Sequence, residues 1–432
     1  MPGTISPQLL AKLPEMGIAP SEFVVSCAPG KAPEVAASLR TLPGIEVVEQ
    51  IPRVNVLIIR ANPQLVYAAD EAIPYILGIT DRYKVQLLEA PTRFGVKLYL
   101  DDVVAPSELL ARKRPPVYLT MSRSWGVPLV YPTRAVPAAF IPTSDIKKAL
   151  VDVPTKLTGK GVKIGVLDSG KLAPSHVQNL NRFWGCNLTT EFSNLDFLGH
   201  GGFCSTIIAG LPHKAPLGVV EGIAPNAEIL SIKVATQNGG ADVVDVLRGI
   251  DKSIELKCDI VNMSLGAPMR GTVRTDSLCI ATEELSKYAI PVSACGNEQY
   301  VQFAPGASPY TITVGSVSYL DGAPSWYGSK LTKIDVYAYG GGRSTYAPDM
   351  EEYVYSGIAP GSILDGVNDG LADGFEGLKG SSFATPEVTG ILALWWEGGL
   401  VRNLDDCKNV ISKGRLVAVA RPNLIKFSWG TI

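Results

Sequence analysis

The chain has 432 residues, 46% of them hydrophobic, which is enough for one large core and a small second domain. Its 39 basic and 41 acidic residues leave a formal net charge of -2. No electrostatic excess therefore indicates nucleic acid or anionic lipid, and no segment approaches the roughly 20 apolar residues of a membrane span. We expect neither a nucleic-acid partner nor a membrane partner.

The cysteines and the N-terminus indicate a reducing compartment. Seven cysteines, none of them in a CxxC pair, predict free thiols rather than a disulfide framework or a zinc site. The N-terminal residues lack a basic start followed by an apolar run. We therefore expect a soluble, cytoplasmic protein, with an excised signal or another export route as the alternative.

Residues 1–91 show the pattern of a small separate domain. In chain order we predict a strand, a helix, two strands, a helix and a strand, carried by EFVVSC, KAPEVAASLRTL, IEVVEQI, VNVLIIRA, PQLVYAADEAI and YILGI. This β-α-β-β-α-β order predicts a ferredoxin-like α+β fold. Repeated prolines and basic residues without a clear period predict a linker over 92–137.

The remaining residues, 138–432, are predicted to form a larger α/β domain. From Lys163 onward, short runs rich in Val and Ile alternate with segments of helical period. Strands that are apolar on both faces and separated by helical crossovers predict a doubly wound parallel sheet. The chemistry should then lie in the loops that follow the carboxyl ends of the strands.

An aspartate and a histidine lie at such positions. Asp168 ends the predicted strand VKIGVLD, where its carboxylate can accept the proton of one imidazole nitrogen and so fix the tautomer. His200, in LGHGGFCSTIIAG, begins an apolar helix and would face the cleft. Taken singly, Asp168 is also typical of a turn and His200 of a helix cap.

A serine and an asparagine complete the set. Ser382, in GSSFATPEVTG, lies at the start of an apolar helix, where the dipole and free N–H groups favour developing negative charge. Asn297, in IPVSACGNEQY, follows a buried strand and a glycine, so its amide can serve as an oxyanion donor. Singly, these are typical of an N-cap and a turn. The joint order Asp, His, Asn, Ser predicts a catalytic triad with an oxyanion hole.

With these motifs the sequence resembles the subtilisin-like serine proteases from about Pro142 to Lys426. VKIGVLDSG resembles the aspartate motif of that family, GHGGFCSTIIAG its histidine motif and GSSFATPEVTG its serine motif. The resemblance implies hydrolysis of a protein or peptide substrate through an acyl-enzyme on Ser382. It implies that no cofactor is required for the chemistry, and it leaves a structural calcium ion open.

The resemblance also implies two segments that hold an extended peptide as an added strand. They are Gly239, Gly240 and Ala241 of QNGGAD, and Ser264, Leu265 and Gly266 of MSLG. Each segment is equally typical of a turn or a strand end.

Other positions depart from the family pattern or match only some of its members. Glu387 replaces a usual histidine, and an acidic, glycine-rich stretch over 362–377 is expected to be a solvated insertion rather than a loop beside the cleft. Cys204, four residues after His200, matches a cysteine of proteinase K-like members. That match implies a buried, unreactive thiol beneath the imidazole.

The N-terminal domain resembles the inhibitory prodomains of the family in position and element order. This implies a self-inhibited precursor that cleaves itself, at a bond between about Leu88 and Pro137. A permanent structural or targeting module is the alternative. For the whole chain, the alternatives are a catalytically silent pseudoprotease that binds a partner, and a dinucleotide-binding enzyme, which the absence of GxGxxG after the first strand disfavours.

Overall fold

The computed structural model describes residues 20–87, 139–151, 156–172, 183–320, 322–346, 351–368, 370 and 373–412. The linker predicted over 92–137 and both of its boundaries lie outside these residues. No helix within the described ranges is long and apolar enough to cross a membrane. All seven cysteines are free thiols, as predicted.

The described N-terminal elements form a four-stranded antiparallel sheet with two helices. In chain order they are β1 Ser21–Cys27, α1 Ala32–Arg40, β2 Ile45–Ile51, β3 Val56–Ala61, α2 Pro63–Ala72 and β4 Ile76–Asp81. The strand order β2-β3-β1-β4 is that of a ferredoxin-like fold. Alternate strand residues such as Val25, Leu57 and Ile59 form one core with Val35 and Leu39 of α1, because successive side chains of a strand point to opposite faces.

The elements that follow belong to the larger unit. Its strands are β5 Lys84–Leu87, β6 Ala139–Pro142, β7 Lys163–Asp168, β8 Phe183–Asn187, β9 His213–Ala215, β10 Gly218–Val220, β11 Glu228–Lys233, β12 Gly240–Asp242, β13 Ile260–Met263, β14 Leu265–Pro268, β15 Ile290–Ala294, β16 Phe303–Ala304, β17 Ile312–Val317, β18 Val336–Tyr339, β19 Glu352–Gly357 and β20 Phe375–Leu378. Its helices are α3 Thr143–Leu150, α4 His200–Ala209, α5 Val243–Glu255, α6 Ser277–Leu285, α7 Ser381–Glu397 and α8 Leu404–Ser412.

Seven of these strands form the central sheet, in the order β18-β17-β15-β13-β7-β11-β8, and every neighbouring pair is parallel. Helices α4 and α5 lie against β7 and β11, and α7 lies against β13, β15, β17 and β18. The strands are therefore apolar on both faces in their central parts, as in β7, where Ile164, Val166 and Leu167 are fully buried. The predicted α/β class with a parallel sheet is confirmed.

The strand order reverses at β7, which has β11 on one side and β13 on the other. In open α/β sheets a crevice forms at such a reversal, outside the carboxyl ends of the strands. Asp168 is the last residue of β7. The fold thus places this carboxylate where a ligand crevice is expected.

A second sheet, in the order β12-β5-β14-β16, joins the two units. Its strand β5 follows β4 after two residues and pairs antiparallel with both β12 and β14. The segment that leaves the N-terminal sheet is therefore built into the larger unit. This strand was not predicted, because its four residues acquire strand partners only in the folded chain.

Candidate active site

Asp168 and His200 form a fully buried pair. Asp168 Oδ1 lies 2.8 Å from His200 Nδ1, and both side chains have no solvent exposure. The backbone N–H of Ser169 also donates to Asp168 Oδ1, at 2.7 Å. A carboxylate in this position assigns the proton to Nδ1 and leaves Nε2 as the nitrogen that can accept one.

The helix that begins with His200 is held by Asp196, which sequence reasoning missed. Asp196 Oδ1 accepts the N–H of Gly199 at 2.8 Å, and Oδ2 accepts that of Gly202 at 2.6 Å. Ser169 Oγ donates to Asp196 at 2.8 Å, and this connects the Asp168 loop to the same helix start. An aspartate just before a helix is a common acceptor for its first N–H groups, which is the signal that could have indicated it.

Ser382 is the second residue of α7, as predicted for a helix start. Its Oγ donates to the carbonyl of Ser264 at 3.0 Å, and Ser264 Oγ donates in return to the Ser382 carbonyl at 2.7 Å. Within the described residues His200 Nε2 has no hydrogen-bond partner. The serine hydroxyl thus has to turn from the Ser264 carbonyl to the imidazole, an adjustment that often occurs only when substrate binds.

Asn297 lies beside the nucleophile. Its side-chain carbonyl accepts the backbone N–H of Ser381 at 2.9 Å, and the residue is only 8% exposed. This bond fixes the amide relative to the start of α7. It therefore places the Asn297 side chain beside Ser382, where the sequence predicts Asn297 Nδ2 as an oxyanion donor.

The electrostatics favour a charged pair once the histidine takes up a proton. Burial is the largest single influence and disfavours the imidazolium, but the charge and hydrogen bond of Asp168, with a smaller contribution from Cys204, raise the pKa of His200 well above its ordinary value of 6.5. Burial raises the pKa of the Cys204 thiol to about 11. The sulfur is therefore neutral at physiological pH, and Asp168 is the charge that stabilises His200.

The six residues predicted to hold a peptide flank β5. In β12, Gly240 faces Gln86, and the Gly239 carbonyl accepts the N–H of Leu87 at 3.2 Å. In β14, Leu265 faces Leu87 and Gly266 faces Gln86. Ala241 pairs with Val85, and Ser264 immediately precedes β14. The structure thus brings both segments together around one extended strand of the chain itself.

The acidic stretch over 362–377 is not the solvated insertion that we expected. The backbone N–H groups of Ile363 and Leu364 donate to the carbonyls of Phe197 and Leu198, in the loop that precedes His200. Leu364 is only 6% exposed. Leu364 packs against the active-site loop, while the carboxylates of Asp365 and Glu376 accept backbone N–H groups within the stretch, those of Gly374 and Val367.

Two further observations concern Glu387 and the potential metal ligands. Glu387 is fully buried in α7, where it accepts the N–H of Tyr339 at 2.8 Å, and burial raises the pKa of its carboxyl group well above the usual range. Among the described residues, the one group of three potential metal-ligating side chains is Asp168, His200 and Cys204. Nitrogen and sulfur donors do not fit calcium, which takes oxygen ligands, so no calcium site is assigned to this group.

We predict that Cys204→Ala keeps most activity and gains resistance to mercurials. Cys204 Sγ lies 3.8 Å from His200 Nδ1 and 3.6 Å from the Ser382 carbonyl, so a bulky mercurial on this sulfur would displace both residues. The stability cost should be of order 1 kcal/mol for lost packing. Residual hydrolysis after mercurial treatment measures the effect. Cys407→Ala, which removes a buried thiol from α8, is the control and should stay sensitive; equal sensitivity of Cys204→Ala would contradict the prediction.

Comparisons with known proteins support this arrangement. The model of the Subtilase family matches residues 159–402, more than half of the chain. The minor extracellular protease Epr of Bacillus subtilis is 37% identical over 142 residues, which cover 33% of this chain and 21% of Epr. Subtilisin E of the same organism is 30% identical over 245 residues, 55% of this chain and 56% of that protein.

The chain matches only part of its first relatives, 21% of Epr and 15% of pyrolysin from Pyrococcus furiosus. The solved structure of a cold adapted subtilisin-like serine proteinase aligns with a TM-score of 0.51 and 20% identity, over 64% of this chain and 92% of that one. This likeness shows the fold. The family match over the segment that carries Asp168, His200, Asn297 and Ser382 shows that the chain belongs to the subtilase family.

Proposed function

We propose that the protein is a serine endopeptidase that hydrolyses peptide bonds through an acyl-enzyme on Ser382. The observation that most directly supports a peptide substrate is β5, an extended strand between β12 and β14. Strand β14 begins directly after Ser264, whose carbonyl accepts the hydrogen bond of Ser382. A cleft that pairs with a peptide backbone in this way recognises main chain and places it beside the nucleophile.

In the proposed reaction, His200 takes the proton of Ser382 Oγ as this oxygen attacks the substrate carbonyl carbon. Asp168 keeps the imidazole in the correct tautomer and stabilises the imidazolium. The charge on the carbonyl oxygen is received by Asn297 Nδ2 and the Ser382 N–H. His200 then protonates the leaving amine, and a water molecule attacks the ester in the reverse sequence, releasing the acid and restoring the serine.

We also propose that the N-terminal domain is an intramolecular inhibitor. Val85 is fully buried and Leu87 is 9% exposed, whereas Lys84 and Gln86 are exposed. Alternate side chains of β5 thus fill the cleft, as expected for a strand added to a sheet. A substrate peptide would need the same backbone partners, so the two should compete.

The contact surface between the units supports this role. The outer face of the N-terminal sheet, with Val24, Val56 and Ile58, joins the apolar core of the larger unit. Ion pairs border this face, and they join Glu49 to Arg248 and Arg53 to Asp251. Exposed ion pairs add little stability. We therefore attribute the affinity of the N-terminal domain for the larger unit to the apolar face, and its orientation to the charged pairs.

We further propose that the precursor cleaves itself after Leu88, which itself lies outside the described residues. Strand β5 pairs Gln86 with Gly266 and Leu87 with Leu265. On the β14 side, the residue that precedes Leu265 is Ser264, whose carbonyl accepts the hydrogen bond of the Ser382 hydroxyl. The bond that follows Leu88 is therefore the one we expect the nucleophile to attack. Intact-mass measurement of the purified chain would identify the fragment.

A prediction about inhibition follows. The separately produced fragment 20–88 should inhibit the mature enzyme in trans, and Val85→Asp should weaken inhibition at least tenfold, because a carboxylate would replace a fully buried isopropyl group. Lys84→Ser, at an exposed position of the same strand, is the matched control and should inhibit normally. Initial rates of peptide hydrolysis give the inhibition constants. Equal inhibition constants for both variants would show that the side chains of β5 do not contribute to inhibition.

The pseudoprotease alternative is tested by a fluorophosphonate probe, which labels only an activated serine. A proteolytic enzyme should be labelled at Ser382 after release of the N-terminal domain. A silent binding protein should remain unlabelled and leave casein intact.

A further inference from the structure

Lys233, the last residue of β11, is a fully buried cation. Its ammonium group donates to the carbonyl of Ser169 and, at 3.3 Å, to the carbonyl of Leu195. Glu191 lies 3.0 Å from the same nitrogen and forms an ion pair with it. A buried lysine is rare, and it is costly unless it is paired. The fold supplies three oxygen partners for this one, which indicates that the cation has a role at this position.

The partners of Lys233 belong to three segments that converge on the active site. Ser169 directly follows Asp168, and Leu195 directly precedes Asp196, the residue that holds the start of α4. The other oxygen of Glu191 accepts the N–H of Gln237, two residues before the first of the peptide-binding glycines. One ammonium group therefore joins the aspartate loop, the histidine loop and the substrate loop.

We propose that Lys233 is a positioning residue for the Asp168–His200 pair and that the charges of Lys233 and Glu191 balance each other at the imidazole. The inference rests on the proposed hydrolysis. The titratable groups described around the imidazole are Asp168 on β7 and Cys204 on α4, with Asp196 next to Asp168. The ion pair adds one positive and one negative charge, which largely cancel as long as both are present.

Two single substitutions should consequently act in opposite directions on the pH profile. Lys233→Met keeps most of the apolar stem but leaves Glu191 unpaired, and the remaining negative charge favours the imidazolium. The acid limb of kcat/KM should move to higher pH. Glu191→Gln keeps a carbonyl for Gln237 but leaves the ammonium unpaired, so the limb should move to lower pH. In the double variant it should return close to the wild-type position.

Lys233→Met should also lower kcat by about 10- to 100-fold while KM changes by less than about threefold, because misplaced catalytic groups act mainly on the chemical step. Lys333→Met is the matched control. Its ammonium group donates to oxygens of Thr311, Thr313 and Asp335 at the amino end of β17. The triad lies at the opposite end of the sheet, at the carboxyl ends of the strands. This variant should be less stable but keep the wild-type kcat and pH profile.

The measurements are steady-state kinetics on a chromogenic peptide from pH 5 to 10, thermal unfolding and fluorophosphonate labelling rates. If Lys233→Met does not fold, Glu191→Gln still tests the inference, because its acid limb of kcat/KM is expected at lower pH than in the wild type. Shifts of both variants in the same direction, or no shift in either, would overturn it. An unlabelled, inactive wild type would instead contradict the proposed function, whereas an active wild type with normal Lys233→Met kinetics would contradict this inference alone.

Discussion

Ser382→Ala is expected to give a folded protein that stays full length and no longer hydrolyses casein. The substitution removes one oxygen from a small side chain and with it the hydrogen bond to the Ser264 carbonyl, so α7 should pack as in the wild type. Turnover should fall by about 10⁶-fold, the size known for removal of the nucleophile in subtilisin itself. Intact mass reports self-cleavage, casein hydrolysis reports activity, and thermal unfolding shows that the fold is retained.

The neighbouring serine provides the control. Ser381 contributes its backbone N–H to Asn297, and Ser381→Ala retains this group while it loses the long 3.3 Å hydrogen bond from the Gly296 N–H to Ser381 Oγ, so the variant should cleave itself and keep most of its activity. Undiminished proteolysis by Ser382→Ala would show that another residue is the nucleophile. Loss of activity in both variants to the same extent would assign the effect to the start of α7 rather than to the Ser382 oxygen.

The second large effect is expected for Asn297→Ala. Turnover should fall by about 10²- to 10³-fold, the range known for the oxyanion asparagine of subtilisin, with little change in KM. The reason is that the donated hydrogen bond strengthens only as negative charge develops on the substrate oxygen. Steady-state kinetics on one peptide substrate separates kcat from KM.

The Asn297 side chain has two roles that a further variant can separate. Its Oδ1 accepts the N–H of Ser381, and its Nδ2 group is the proposed donor to the oxyanion. Asn297→Asp retains the acceptor but replaces the donor by a negative oxygen, so its turnover should be no higher than that of Asn297→Ala. If Asn297→Asp were as active as the wild type, the residue would serve only to hold the start of α7.

Local patterns were sufficient to predict the larger fold and to place the candidate catalytic residues at strand ends and helix starts. The apolar runs that end at Asp168 and precede Asn297 are strands β7 and β15, and His200 and Ser382 lie in the first turns of helices as predicted. Each of these positions depends on the chemistry of a few consecutive residues, such as a helix start or the end of a buried strand.

The supporting contacts could not be predicted because they join residues that are distant in the sequence. Lys233 looks like an ordinary strand residue until its carbonyl partners, 38 and 64 positions away, are brought to it. Strand β5 needs β12 and β14 as partners, and the stretch over 362–377 needs the loop before His200. Composition described that stretch as acidic, but its few apolar residues determine where it lies.

The central place of β5 between β12 and β14 has a consequence for protein engineering. The residues that would read a foreign peptide also hold Val85 and Leu87 of the chain itself. A substitution that widens or narrows the cleft would therefore change two properties at once, the substrate preference and the affinity for β5. Altered specificity would have to be designed in pairs, with residues 84–87 rewritten to match each new cleft, so that every redesigned enzyme still recognises its own N-terminal domain.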